Sequence, residues 1–340
     1  MATAAQRRIK SVSYARYGYL YTAPFFIVYF IFMLYPLIRT FYLAFHGNNS
    51  TLEDFVGFEN FKTILFTSDD RSTRAIHNAF IGYLSNTVII WVGNFIPQIA
   101  LSLLLAVWFT DLRVKMPGKG FFKVVMYMPN IITAASVAGL FLTLFAKSNY
   151  SAINAFLLSH NHAAVTWLDT SSVWPARFMV MFIQVWMWFG NTMIMLMSGI
   201  QGINESLFEA AEIDGANSVQ TFWRITFPLL KTIMVYTLLT SMIGGLQMFD
   251  IPFMLHEGAT LNTNIATVAI FIYKQFHDNY LSPNSGYSAA ASVILFIITS
   301  ILGALVFYVQ RDKDAIEKNR KRKQAIKEAK RKAKGGGFSI

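Results

Sequence analysis

The sequence predicts an all-α integral membrane protein with six transmembrane helices, on three observations. The first is composition. Of 340 residues, 54% are hydrophobic and 16% aromatic, with a mean hydropathy of +0.43, which is too apolar and too aromatic for a water-soluble chain of this length. The second is run length. Six apolar stretches, at about 19–45, 79–109, 122–145, 178–200, 229–249 and 287–309, suit the roughly 20 residues that a helix needs to cross about 30 Å of hydrocarbon. The third is charge placement. With the N-terminus inside, the inner segments and their membrane edges hold about 22 of the 29 Lys and Arg residues.

Taken in order, residues 1–17 are polar and carry Arg7, Arg8, Lys10 and Arg16, so they are read as a cytoplasmic basic N-terminus. The apolar run that follows is too long for the core of a secretory signal and lacks a small-residue cleavage site, so it is read as a retained first span. Residues 18–309 form the six-helix domain. Pro24, Pro36, Pro97 and Pro129 lie in or near spans and predict kinks or breaks. The external segments, about 46–78, 146–177 and 250–286, are each too short for a domain with its own core. They are rich in Asn, Ser, Thr and aromatic residues, and the first holds Asp54, Glu59, Asp69 and Asp70.

Residues 310–340 are a cytoplasmic basic tail with twelve Lys or Arg against four Asp or Glu. Beside a membrane span, such a tail reads as a topology signal and a contact for anionic lipid headgroups. No aromatic side chains are interleaved with its charges to stack on bases, which argues against nucleic acid. The chain has no cysteine, excluding disulfides and thiol chemistry, and no G-x4-G-K-[ST] phosphate loop, so it does not bind ATP in that manner. His160 and His162 are one residue apart but have no acidic cluster or third ligand near them in sequence, so no metal site is expected.

Polar residues inside the spans are few and therefore informative. In the fourth span, Gln184, Trp188 and Asn191 fall at i, i+4 and i+7, on one helical face. Amides at membrane depth either bond across helices or face a wet cavity. A tryptophan between two amides suits a solute with apolar C–H faces and many hydroxyls, such as a sugar. The six Met residues of this span read as adaptable packing. In the fifth span, Gly244 and Gly245 allow close packing or a helix break, and Gln247 and Asp250 follow at i, i+3. Few other charges lie deep in a span, whereas ion-coupled transporters need intramembrane ionisable groups.

The most ordered stretch lies between the fourth and fifth spans, at 201–228. Ser206 with Glu209 and Asn217 with Gln220 have capping-box spacing and predict two short helices. Gly215 sits where a left-handed residue ends the first, and Pro228 is expected to stop the second. Leu207, Ala210, Ala211 and Gly215 form a stripe at i, i+3, i+4 and i+8 that would let another surface approach the backbone. Glu212 and Asp214 oppose the helix dipole at the C-terminal end, so local stability does not explain them.

Glu209-Ala210-Ala211, then Gly215, then Ile225-Thr226-Phe227-Pro228 resembles the EAA loop of ABC importer permeases, E-A-A-x3-G-x9-I-x-L-P, with Phe227 in place of Leu. Ile213-Asp214-Gly215-Ala216 and the run from Phe249-Asp250 to Leu255 resemble the carbohydrate-uptake branch of the maltose-transporter type, although His256-Glu257-Gly258-Ala259 departs from that branch. The resemblance implies the ABC importer permease fold with a cytoplasmic coupling helix. It implies ATPase coupling through Glu209, Ala210, Ala211, Asp214, Gly215 and Pro228. It also implies a second homologous permease subunit, two ATPase subunits and an extracellular solute-binding protein as partners. ATP and Mg would then be used by the ATPase, leaving this chain without a cofactor and without enzymatic activity of its own. Gln184, Trp188, Asn191, Gln247 and Asp250 are the candidates for the substrate path. The expected solute is a sugar or oligosaccharide, with a glycerol phosphate ester as the alternative, and an ion-coupled secondary transporter as the reading from another class.

Overall fold

A computed structural model describes residues 15–47, 54–111, 117–146, 148–171, 173–255, 262–277, 284–310 and 326. The N-terminal residues 1–14, nearly all of the basic tail and His256-Glu257-Gly258-Ala259 lie outside the described residues. Apart from one isolated bridge, His46 to Phe55, the described structure is helical. In order, the helices are α1 (Ala15–Tyr29), α2 (Tyr35–Leu43), α3 (Glu59–Leu65), α4 (Arg71–Thr110), α5 (Lys119–Tyr127), α6 (Ala134–Leu144), α7 (Ala152–Ser159) and α8 (Val173–Gln201). There follow α9 (Glu205–Ile213), α10 (Ser218–Thr221), α11 (Phe227–Leu229), α12 (Lys231–Leu246), α13 (Asp250–Met254), α14 (Val268–His277) and α15 (Ser285–Gln310). Two compact units are distinguished, Met1–Asn78 with Ile272–Ile294, and Ala79–Phe271 with Leu295–Ile340.

Among the described residues, five segments are long and apolar enough to cross a membrane: Tyr17–Leu43, Arg71–Thr110, Val173–Gln201, Lys231–Met254 and Ser285–Tyr308. The sixth expected span, at 122–145, is instead a pair of helical pieces, Lys119–Ile131 and Ala134–Leu144, meeting at 94°. The bend has a local cause. Pro129 opens a single 3-10 turn over Met128–Ile131, Ile132 is extended at ψ 137°, and Thr133 starts α6 afresh by accepting from the Ser136 backbone N–H. Proline has no N–H to continue the ladder, so the helix is restarted rather than extended.

The other prolines act differently. Pro24 and Pro97 are carried inside α1 and α4. Pro36 follows a π-turn, Phe30–Leu34, at the start of α2, and Pro228 follows a second π-turn, Phe222–Thr226, at the start of α11. The wider turn makes room for the proline ring and for the hydrogen bond it cannot make. Pro228 therefore does not stop the helix, as the sequence reading expected. It sits in a helical path that runs, with the π-turn and a joint at Leu230, from Ser218 to Leu246.

In the first unit, the apolar α1–α2 segment buries none of its window against the rest of the chain and displays stacked rings, Phe25 on Tyr29 at 6.3 Å among them. The chain beyond it is clasped by Asn60, whose Nδ2 donates to the Ala44 and His46 carbonyls at 3.0 and 2.8 Å. A side chain at Gly286 would lie 2.4 Å from the His46 carbonyl oxygen, so this approach requires glycine. Asp70 caps α4, accepting from the Ser72 and Thr73 backbone N–H groups at 3.1 and 3.0 Å.

Two apolar clusters stand out among the described residues of the second unit. One gathers Val137, Phe141, Met179, Ile183 and Ile251 from α6, α8 and α13, and the other Leu105, Phe109, Met193, Leu196 and Leu230 from α4, α8 and the approach to α12. The α8 helix is common to both, which is why half of its apolar window is buried. At Gly190, a Cβ would lie 2.0 Å from the Met126 carbonyl oxygen, so α8 presents a bare backbone to the end of α5.

Candidate functional site

Between the two clusters lies a cavity of about 410 Å³ within the second unit. All five residues expected on the substrate path line it: Gln184, Trp188 and Asn191 from α8, and Gln247 and Asp250 at the break between α12 and α13. The helical spacing accounts for the first three, with Gln184 buried and Trp188 45% exposed. The last two are brought in because α12 ends at Leu246 and α13 begins at Asp250, turning the intervening backbone into the cavity wall. Thr267 secures that break by donating to the Met248 carbonyl at 2.6 Å.

The structure adds a wall that the sequence reading missed. Trp91, Asn94 and Gln98 of α4 line the cavity at i, i+3 and i+7, and Thr237, Thr240 and Ser241 line it from α12. The signal was the one already used for α8, polar groups at helical spacing in an apolar run. Gln98 Nε2 donates to Thr192 Oγ1 at 2.8 Å, Asn94 Nδ2 to the Ile90 carbonyl at 2.9 Å, and Trp91 Nε1 to Ser241 Oγ at 3.2 Å. Gly245 is where α12 meets Trp91, since a Cβ there would fall 2.1 Å from the indole Cδ1. Gly245 thus serves close packing, and the break follows two residues later.

The polar lining is five amides, four hydroxyls and one carboxylate, Asp250, with the indoles of Trp91 and Trp188 beside them. No Lys, Arg or His lines the cavity among the described residues. Such a surface offers donors and acceptors to hydroxyl groups and flat apolar faces to C–H groups, and its one formal charge is negative.

The second predicted site is the segment between α8 and α12. Its first helix starts earlier than expected. Asn204, not Ser206, is the cap, and its side chain accepts from the Ser206 backbone N–H at 3.1 Å. Both residues are good caps, and an asparagine two positions upstream lengthens the helix by half a turn. The second helix starts where expected, with Asn217 and Gln220 bonded reciprocally at 2.8 and 2.9 Å.

Gly215 has φ +72°, and the turn around it is a full Schellman arrangement. The Ala216 N–H donates to the Ala211 carbonyl at 2.9 Å, and the Gly215 N–H to the Glu212 carbonyl at 3.0 Å. Of the predicted stripe, Ala211 turns into the protein while Leu207, Ala210 and Gly215 are exposed. Glu209, Asp214 and Pro228 are also exposed, as are Ile213 at 86% and Trp223 at 58%. Behind α9 is a second cavity of about 560 Å³, lined by the ends of α4 and α8, by Glu205, Glu209 and Glu212 of α9, and by Ser218, Thr221 and Thr226.

The family described as binding-protein-dependent transport system inner membrane component matches residues 75–314. The arabinooligosaccharides transport system permease protein AraP of Bacillus subtilis is 29% identical over 84% of this chain and 86% of its own. The lactose transport system permease protein LacF of Rhizobium radiobacter is 27% identical over 92% of this chain and all of its own. The sn-glycerol-3-phosphate transport system permease protein UgpA of Agrobacterium fabrum is 31% identical over 85% and 92%. A solved bacterial ABC transporter involved in the import of the acidic polysaccharide alginate shares the fold, with a TM-score of 0.70 at 23% identity over 88% of this chain and 98% of that one. The matched span contains both cavities and every predicted site residue, and the helices around them are apolar enough to cross a membrane several times. The chain is a multi-pass membrane protein that belongs to the family of binding-protein-dependent transport system inner membrane components.

Proposed function

We propose that this chain is the permease subunit of an ATP-driven importer for an uncharged sugar or oligosaccharide. The observation that carries the substrate reading is the lining of the α4–α8–α12 cavity, with five amides, two indoles and no cation among the described residues. An anionic solute such as a glycerol phosphate ester would face Asp250 with no basic partner to offset its desolvation. A sugar would stack on Trp188 and Trp91 and exchange its hydration for the amides. The cavity falls in the range of about 300–1,000 Å³ usual for small-molecule sites.

In this reading an extracellular solute-binding protein delivers the sugar, and a second homologous permease completes the pathway. Two separate ATPase subunits, which use ATP and Mg, dock on the segment carrying Glu209, Ala210, Ala211, Asp214, Gly215 and Pro228. Both termini are cytoplasmic, where the Lys and Arg excess lies, in a cell membrane. Such an ATPase partner would cover Ile213, 86% exposed at the end of α9, and Trp223, 58% exposed in the π-turn. The helical path from Ser218 to Leu246 joins the docking segment to the cavity wall, so movement of one is transmitted to the other.

The test is uptake of labelled mono- and oligosaccharides, a glycerol phosphate ester and amino acids by cells lacking the chain and by cells with it restored. Recovery of a saccharide, abolished by ATP depletion, is the expected result. Recovery of the phosphate ester alone would overturn the reading of the cavity. Uptake that ignores ATP but follows an ion gradient would overturn the importer reading.

A further inference from the structure

Arg177 stands seven residues before Gln184 on α8, about 10 Å along the helix from it. Asn86 stands five residues before Trp91 on α4, about 8 Å away. Neither lines the polar cavity. Both lie beyond it at the end remote from α9, since the opposite ends of α4 and α8 line the hollow behind α9. A terminal guanidinium nitrogen of Arg177 donates to Asn86 Oδ1 at 2.6 Å, which bonds α8 to α4.

Residues 262–267, just before α14, form an irregular strap tied to both helices. Arg177 Nε donates to the Asn264 carbonyl at 3.3 Å, and Asn86 Nδ2 to the Thr263 and Ala266 carbonyls at 2.7 and 3.0 Å. Asn262 and Asn264 donate from Nδ2 to the Leu168 and Thr170 carbonyls, each at 2.8 Å. Thr267 ends the strap by donating to the Met248 carbonyl, and Gln247 and Asp250 on either side of Met248 line the cavity. Asn86, Asn262, Ile265, Ala266 and Thr267 are buried, so the strap is packed into the protein rather than laid over it.

Arg177 is half-buried and makes no ion pair among the described residues. Its partners are an amide oxygen, a backbone carbonyl and the face of Trp174, 5.5 Å from its Cζ. A charged donor gives a strong hydrogen bond, and a neutral acceptor gives it up to water with far less loss than a buried carboxylate would. That combination suits a contact that is made and broken.

We propose that Arg177 and Asn86 latch the strap across the end of the polar cavity remote from α9. When Arg177 leaves Asn86, α4 and α8 part at that end, the strap lifts, and Thr267 carries the Met248 segment with it. Opening of this end and displacement of Gln247 and Asp250 from the cavity wall are then one event. The latch rests on the importer reading, in which the solute enters from this side.

Because the chain has no cysteine, one introduced thiol reports its own access. In membranes holding the assembled transporter, Thr240→Cys on the cavity wall is treated with a membrane-impermeant methanethiosulfonate. The reagent is added from the side that labels Tyr150→Cys, 94% exposed in the connection to which the strap is bonded. Arg177→Met should raise the Thr240→Cys rate about tenfold, the change in open-to-closed ratio expected on losing one hydrogen bond to a charged group. Arg177→Lys, which keeps the charge but not the two-armed reach, should raise it less, and it carries the test alone if Arg177→Met does not accumulate. Leu196→Cys, fully buried in the apolar cluster nearer α9, should stay unlabelled throughout. A Thr240→Cys rate unchanged by either substitution would overturn the latch, whatever the uptake test shows of the importer reading. So would labelling of Leu196→Cys alongside Thr240→Cys, which would make Arg177 a support of the whole fold.

Discussion

Gln98 on α4 donates from Nε2 to Thr192 Oγ1 on α8 at 2.8 Å, with both side chains buried beside the polar cavity. This is a direct side-chain bond between two membrane-crossing helices, and it fixes the rotation of α4 that turns Trp91 and Asn94 inward. Gln98→Leu and Thr192→Val should each destabilise the protein, and the double variant should recover part of the loss. The expected coupling energy in a thermal-unfolding cycle is about 0.6–1.7 kcal/mol, the range for polar pairs between membrane helices. A coupling of zero would show that the bond does not set helix rotation.

Gly190 should be the least replaceable glycine of α8. Gly190→Ala places a methyl against the Met126 backbone, which cannot move aside like a flexible side chain, and overpacking of this kind destabilises by about 1–3 kcal/mol. Gly139→Ala in α6, with nothing within 4 Å of its Cβ, should be neutral or slightly stabilising. Melting temperatures of the two purified variants check the contrast.

At Gly215 the constraint is conformational, not steric. A Cβ there meets nothing within 4 Å, yet φ is +72°. Gly215→Val should lose about 1–2 kcal/mol at the turn, while Gly215→Asn, which tolerates the left-handed region, should lose less. If the segment docks an ATPase, the valine variant should uncouple ATP hydrolysis from uptake and the asparagine variant should keep them linked. Equal behaviour of the two would remove the turn from the mechanism.

Trp188→Ala should reduce uptake about two- to tenfold while leaving assembly with the ATPase intact, since stacking on an aromatic face contributes roughly 0.5–1.5 kcal/mol beyond buried area. Trp174→Ala, 65% exposed near the start of α8, should leave uptake unchanged. Parallel uptake and co-purification measurements separate the two effects.

The start of α4 should respond to acid. Asp70 is held below the usual carboxylate range, first by the Ser72 hydroxyl and then by the Thr73 backbone N–H. Its folded pKa is depressed, so its capping contribution is present above the unfolded value of about 3.9 and is lost as pH falls through the folded value. Asp70→Asn keeps a capping oxygen without the charge. Protection factors for the first turn of α4, which divide out the intrinsic slowing of amide exchange in acid, should therefore fall with pH for the parent chain and not for this variant.

The six apolar runs and the Lys and Arg bias were legible because hydrocarbon thickness and loop charge leave marks in any single sequence. The α8 face was legible for a similar reason, as Gln184, Trp188 and Asn191 interrupt an apolar helix at its own period. The same mark lies in α4, where Trp91, Asn94 and Gln98 are spaced through a 40-residue helix and are diluted by its apolar residues. Two features were not legible. The 94° bend needs the Pro129 turn, an extended Ile132 and the Thr133 cap together, and the proline alone announces only a break. The choice of Asn204 over Ser206 as cap turns on where α8 releases the chain, which spacing cannot fix.

The π-turn at Phe222–Thr226 sets what length changes the path to the cavity can absorb. It holds one more residue than an α-helical turn over the same path, so the surplus is taken up locally and the helix beyond keeps its phase. Removing one residue there would leave Thr237, Thr240 and Ser241 facing the cavity, whereas removing one residue from the regular helix between Lys231 and Tyr236 would swing that polar stripe by about 100°.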